Sequence, residues 1–351
     1  MSDELLELRD SIRPVLETAG PAADLDSAWN NAVELGWFMT AASEDLGGLG
    51  LGLASMTLIS TESGRMVSRL PMVSALTSID VLAHAADVSR VEAMMAGTLI
   101  ATPLANSAIE QSSDTLIGMA EALPCVDQAE ALLLWTADHA MLYVVPRDAS
   151  GLVLTSTPTW DTTRQLSKAT LSEVSLSTVE VVAVDDQARR LIARLLILRD
   201  LLLAADAIGV ANGLLETTIE HLLVRYQFGR PLAMFQALKH RVADLRTQLT
   251  GAEALLENTL AVIGCDLSNA GAATAAMKAC ALATQVSSSI AEESLQLHGG
   301  IGMAEEHVCH LYLKRAMLNC RLGRQGCNYA NDIADRFINT CKVSGDSRGT
   351  L

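Results

Sequence analysis

Positive charge is in short supply in this sequence: 25 Lys and Arg stand against 41 Asp and Glu, a formal net charge of −16 over 351 residues. A surface this acidic repels nucleic-acid phosphate and anionic membrane, so neither is an expected partner. No uninterrupted apolar run reaches membrane-spanning length. The best candidate, Leu191 to Leu215, is broken by Arg194, Arg199, Asp200 and Asp206. The opening MSDELLELRD is acidic and has no signal-peptide core. No CxxC pair occurs, and the seven cysteines (125, 265, 280, 309, 320, 327 and 341) are an odd number. A reduced, cytoplasmic chain fits this better than a disulfide scaffold or a zinc site. P-loop, HExxH and GxSxG signatures are absent, as is any internal repeat. Aromatic residues make up only 3 %. Apolar walls must therefore come from Ala, Leu and Met, a composition that permits a bulky apolar substrate.

Half of the residues are hydrophobic, enough for a large core and too many for global disorder. Their arrangement predicts three domains. Residues 1–105 read as helical, with Leu5, Leu6, Ile12, Val15 and Leu16 at helical spacing and a cap at Asp26–Ser27. The glycine-rich SEDLGGLGLGLAS separates two of these helices. Residues 106–182 carry short apolar runs broken by Pro146, Asp148 and Gly151, the pattern of a small β domain. Residues 183–341 contain four Ala- and Leu-rich runs, 187–226, 233–263, 270–297 and 309–340, which predict a helical bundle. Residues 342–351 read as a tail. The fold class expected is mainly α with a small β domain: an N-terminal helical domain, a middle β domain and a C-terminal four-helix bundle.

Two acid-free stretches stand out in so acidic a chain. His221 to Ala243 carries Arg225, Arg230, Lys239 and Arg241, and His307 to Asn331 carries Lys314, Arg315, Arg321 and Arg324. Such positive islands suit an anionic ligand such as a pyrophosphate. In the first, Arg225-Tyr-Gln-Phe-Gly-Arg-Pro231 ends a helix at Gly229 and Pro231. It brings the cation of Arg225, the amide of Gln227 and the ring of Phe228 to one connection. Before the second lies Gln296-Leu-His-Gly299-Gly300-Ile-Gly302, whose glycines let backbone N–H groups approach a ligand. His298, His307 and His310 read as structural or surface histidines without partners at metal-ligand spacing, so no metal is expected.

Together SEDLGGLGLG with ESGR after it, the strand-rich middle, RYQFGRPLAMFQALKHRVAD and QLHGGIGMAEEHVCHLYLKRA resemble the acyl-CoA dehydrogenase family over nearly the whole chain. The resemblance implies FAD as cofactor and an acyl-CoA thioester as substrate. In the family a carboxylate removes the α proton while the β hydride passes to flavin N5. It also implies that Arg225 contacts the FAD pyrophosphate of a neighbouring subunit and that Gln227 and Phe228 meet the flavin. Gln236 then lies near the adenine, and Gln296, Gly299 and Gly300 line the adenosine and pyrophosphate end.

Two departures separate this sequence from the family pattern. The acidic, glycine- and serine-rich segment of the middle domain has no counterpart in TPLANSAIEQSSDTLIGMAEALPC. The base is also missing, so no catalytic residue is assigned. One family position for it falls at Leu322-Gly323-Arg324, the other at Arg199, with Asp200 one place off and Asp206 about 10 Å further along the helix. The resemblance is therefore to a base-lacking subunit of a heteromeric enzyme of the bacterial sterol side-chain type. Such a subunit pairs with a second acyl-CoA dehydrogenase chain, in a heterotetramer, with an electron-transfer flavoprotein as acceptor. Two other readings remain at this stage: a homo-oligomer using Asp200 as base, and a non-catalytic, FAD-free paralogue.

Overall fold

The computed structural model describes residues 3–264, 267, 271–323, 331, 333–335 and 338. The first domain is helical: α1 (Asp3–Ala19), α2 (Leu25–Glu34), α3 (Gly52–Arg65), α4 (Met72–His84) and α5 (Val88–Met95). The N-cap of α2 is Asp24, whose carboxylate accepts the Ser27 N–H at 3.0 Å, and not the expected Asp26–Ser27 pair. A carboxylate three residues ahead of the N–H it accepts fits the cap geometry, and Asp26 already lies inside the first turn. α4 is buried along its whole length from Met72 to Leu82, as befits a helix without a polar stripe.

Eight strands follow: β1 (Leu99–Ala101), β2 (Ser107–Ser112), β3 (Thr115–Pro124), β4 (Ala129–Trp135), β5 (Met141–Pro146), β6 (Leu152–Ser156), β7 (Leu166–Ser175) and β8 (Glu180–Val184). They form two four-stranded sheets, β1-β4-β5-β8 and β2-β3-β7-β6. Every pair is antiparallel except β1 with β4. Strand pairing thus begins at Leu99 and not at 106. The three-residue β1 is too short to announce itself by alternation, and all three of its residues are buried.

The rest is helical. α6 (Asp185–Val224) runs for 40 residues, followed by a hairpin of β9 (Tyr226–Gln227) and β10 (Arg230–Pro231). Then come α7 (Gln236–Ile263), α8 (Ala272–His298) and α9 (Cys309–Asn319). Within the expected run 309–340, α9 ends at Asn319 and residues 331, 333–335 and 338 are again helical; Arg324, Cys327 and the tail 342–351 lie outside the described residues, as does Cys265. No helix among the described residues is long and apolar enough to cross a membrane. α6 is buried on all sides from Leu195 to Ala211, packed against α3 on one flank and α8 on the other. The α3–α6 crossing is a backbone contact. A Cβ on Gly209 would lie 1.9 Å from the Thr61 carbonyl oxygen, and one on Gly64 2.1 Å from that of Asp206. The ESGR motif serves this contact, because Gly64 admits α6 while Arg65 pairs with Glu62 at 3.1 Å and Glu216 at 2.8 Å. The order of helices, strands and helices read from the sequence is the fold observed.

Candidate functional site

The sequence between α6 and α7 folds into a projecting hairpin. Phe228 and Gly229 form its two-residue loop, both at positive φ (53° and 77°), as a type I′ connection demands. Leu232 N–H donates to the Arg225 carbonyl at 2.8 Å, and Tyr226 O–H to the Gly229 carbonyl at 2.5 Å. The Arg230 guanidinium lies 4.0 Å above the Phe235 ring, and Phe228 meets Phe235 edge-on at 6.1 Å. The hairpin is braced from within and bare outside: Phe228 is 87 % and Val224 79 % exposed, with Leu223, Tyr226 and Met234 exposed beside them. Arg225 is the C-cap of α6, just past its last turn, with its N–H on the His221 carbonyl at 2.9 Å. Its side chain is exposed, and among the described residues no carboxylate lies within ion-pair distance. Gln227 pairs with Arg230 across the hairpin, and Gln236, the first residue of α7, is exposed.

The glycine loop lies beside the root of this hairpin. His221, one turn before Arg225, stacks on His298, the residue before Gly299, with ring centroids 4.4 Å apart. Arg241 on α7 pairs with Glu293 on α8 and ties the two helices together nearby. Gln296 is exposed on the last turn of α8. Gly299 ends that helix at φ 63°, which calls for glycine. Gly300 has an ordinary φ, and a Cβ there would meet nothing within 4 Å. Neither backbone nor packing within the chain requires glycine at 300, so it leaves room for something from outside. A free guanidinium, three amides, an exposed ring and an open glycine turn fit a flat, anionic cofactor.

The second positive island is different. Arg315 is 1 % exposed and turned inward. Its Nε lies 2.9 Å from Asp161, its Nη1 3.2 Å from Asp206, and its Nη2 donates to Thr163 Oγ1 at 2.6 Å and to the Ser68 carbonyl at 2.7 Å. Arg164 completes the network, 2.9 Å from Asp206 and 2.5 Å from Asn319 Oδ1. Burial pulls the Arg164 guanidinium below its ordinary value, and Asp206 opposes that pull. Arg315 therefore offers no charge to an outside anion, contrary to the expectation from its acid-free surroundings. Its partners Asp161 and Thr163 lie about 150 residues away in sequence, where no local signal could reveal them.

Arg199 and Gly323, the positions that the sequence resemblance gives to a base, converge on one short segment. Arg199 Nη1 donates to the Ala105 carbonyl at 2.6 Å, and Gly323 N–H donates to the Leu104 carbonyl at 2.7 Å. Arg199 is 1 % exposed, and Asp200, fully buried, lies 3.6 Å from it. Asp206 accepts from Arg164, Arg315 and Asn319. Of the two positions that the sequence resemblance gives to a base, a cation thus occupies one and an apolar-glycine pair the other. Leu104 also lines the cleft where the three domains meet, together with Ser63, Arg69, Cys125, Arg164 and Asp206. The volume of that cleft is 20 Å³, room for about one water.

The histidines also group differently from the sequence reading. Cys309 Sγ lies 3.5 Å from His298 Nε2, and the His307 ring is 4.8 Å from that of His298. Burial holds His298 below the ordinary imidazole value and pushes the Cys309 thiol up to about 12. The cysteine partner was adjacent in sequence, between His307 and His310, but the turn that folds it onto His298 was not legible.

Residues 190–326 match the family model described as acyl-CoA dehydrogenase, C-terminal domain. The chain is 29 % identical over 341 residues to acyl-CoA dehydrogenase IpdE2 of Mycobacterium tuberculosis, covering 90 % of this chain and 91 % of that relative. Among solved structures it resembles the Tcur3481-Tcur3483 steroid ACAD G363A variant, with a TM-score of 0.85 at 24 % identity over 97 % of this chain and 99 % of that one. It also resembles the ChsE4-ChsE5 complex from Mycobacterium tuberculosis, with a TM-score of 0.84 at 20 % identity over 96 % and 98 %. The fold, the arm, the glycine loop and these likenesses agree: residues 190–326 form an acyl-CoA dehydrogenase C-terminal domain, and the chain as a whole is similar to acyl-CoA dehydrogenases in sequence and fold.

Proposed function

We propose that this chain is the base-lacking subunit of a heteromeric, FAD-dependent acyl-CoA dehydrogenase. Its hairpin arm and glycine loop hold the pyrophosphate and adenosine end of FAD at the interface with a second chain that supplies the base. The observation that supports this reading is Arg199: a buried cation bound to the Ala105 carbonyl stands at one of the two positions that the resemblance gives to a base. A guanidinium is permanently protonated and cannot remove an α proton. Asp200 is sealed beside it and Asp206 is held by three donors, so neither reaches a substrate. The cleft at Leu104 and Asp206, at 20 Å³, is too small for a thioester, whereas the exposed arm reaches outward. That outward arm also argues against a paralogue with no cofactor.

In the assembled enzyme Arg225 would bind the pyrophosphate through its planar fork, and Gln227 and Phe228 would meet the flavin. Gln236, Gln296, Gly299 and Gly300 would hold the adenosine end. FAD bound there would supply the hydride acceptor for α,β-dehydrogenation of an acyl-CoA. The steroid ACAD and ChsE4-ChsE5 complex likenesses favour a steroid thioester and a heteromer, and the side-chain substrate, heterotetramer and cytoplasmic setting follow from the sequence resemblance. An electron-transfer flavoprotein is the acceptor that fits this chemistry.

Purification of the chain alone and with a base-bearing partner tests the proposal. A flavin absorbance spectrum and acyl-CoA turnover are expected only from the pair. An active, fully flavin-loaded homotetramer of this chain alone would overturn it.

A further inference from the structure

Separately from the flavin site, we infer that His298, His307 and Cys309 form a binding site for a thiophilic divalent cation, with zinc the best chemical match. The three side chains offer ligand atoms that all lie within 4.8 Å of one another. Two imidazole nitrogens and one thiolate suit zinc, whereas a set without a carboxylate does not suit calcium or magnesium. In tetrahedral zinc coordination a sulfur and a nitrogen ligand lie about 3.6 Å apart. His298 Nε2 and Cys309 Sγ are already 3.5 Å apart.

The surroundings position the first ligand as a metal site requires. His298 Nδ1 meets the Ser294 carbonyl at 2.8 Å and donates its proton there, which leaves the Nε2 lone pair facing Cys309. A ligating histidine commonly hands its other N–H to a backbone carbonyl in this way. His221 stacks on the His298 ring at 4.4 Å and so braces one of its faces. Cys309 opens α9 and is buried, while His307 sits half-exposed on the preceding turn. A swing of His307 by about 1 Å brings it to ligand distance. The fourth position then opens to solvent on the His307 side. Binding breaks the Cys309 S–H bond, forms the S–metal bond and releases the proton to solvent. The ion would tie the C-terminus of α8 to the N-terminus of α9 and so fix the glycine loop between them.

The test uses the full chain, alone or with its partner, carrying no histidine tag. After zinc loading and desalting, elemental analysis should find one zinc per chain. Replacement by cobalt should give a thiolate-to-cobalt charge-transfer band in the near ultraviolet. Cys309→Ser should abolish that band and weaken zinc binding more than tenfold, and His307→Gln, on the half-exposed turn, should weaken it similarly. Cys320→Ser should change neither. Circular dichroism of the metal-free variants checks that they are folded, and His307→Gln carries the test if Cys309→Ser is not. Absence of stoichiometric zinc in the wild type, or the same cobalt spectrum and affinity in His307→Gln, would overturn the site. The Cys309–His298 contact would then be only a sulfhydryl–imidazole hydrogen bond.

Discussion

Arg315 on α9 meets Asp161, in the loop between β6 and β7, at 2.9 Å with both side chains sealed from solvent. This contact, with Arg164 and Asp206, pins the β domain to the helical bundle by two cations and two anions. Removing one partner strands a buried charge, which costs about 3–5 kcal/mol. Arg315→Met should therefore lower the urea midpoint far more than Arg189→Met, whose exposed partner is Asp186. Equal effects in equilibrium unfolding would show that the buried network carries no special weight.

Asp200→Asn should leave turnover of the assembled enzyme within a few-fold of wild type, compared per folded complex. Asp200 is fully buried beside Arg199 and has no path to a thioester. A general base typically contributes 10²–10⁴-fold. A loss on the order of 10³ with FAD still bound would make Asp200 the base.

Arg225→Ala should weaken FAD binding to the complex by a factor of about 10 to 150, the worth of a charge-assisted bond to phosphate. Arg225→Lys should fall between, since it keeps the charge and loses the fork. The melting temperature of the flavin-free complex should hardly move, because the Arg225 side chain is exposed and only its backbone N–H caps α6. Titration of flavin and thermal melts on the same variant separate cofactor binding from helix capping.

Two glycine substitutions should behave oppositely. Gly209→Ala drives a methyl to 1.9 Å from the Thr61 carbonyl and should cost at least about 1–3 kcal/mol as α3 and α6 separate. Gly300→Ala enters open space and should leave the melting temperature unchanged. If Gly300 faces FAD, the same variant should weaken flavin binding. Thermal melts with and without flavin read both effects.

Burial pushes the Cys125 thiol from its ordinary value up to about 12. Its reactive thiolate is then disfavoured, to about one molecule in 10⁴ at pH 8. Iodoacetamide should modify half-buried Cys320 well before Cys125 in the native protein. Peptide mass spectrometry after timed quenching measures both, and equal rates would refute the burial argument.

The parts of the fold that lie within a few residues of their cause were legible in the sequence. The end of α6 before Gly229 and Pro231 was among them, whereas the hairpin closed by Phe228 and Gly229 was read only as a connection between helices. The four Ala- and Leu-rich runs mark the later helices. The cap of α2 was misplaced by two residues because Asp24 and Asp26 are chemically equivalent and only the backbone turn selects between them. β1 was missed because three buried residues carry no periodicity.

By itself the sequence determined the order of helices, strands and helices and the helix stop before Gly229 and Pro231. These rest on local propensity, turn chemistry and residue identity. Only the tertiary structure decided that Arg315 points inward to Asp161, that Arg199 and Gly323 close on the same segment at Leu104–Ala105, and that Cys309 folds back onto His298. Whether a charge or a thiol serves the surface or the interior depends on partners brought from elsewhere in the chain. The low dielectric of the interior makes such partners obligatory for a buried charge, and the residues beside it in sequence do not disclose them.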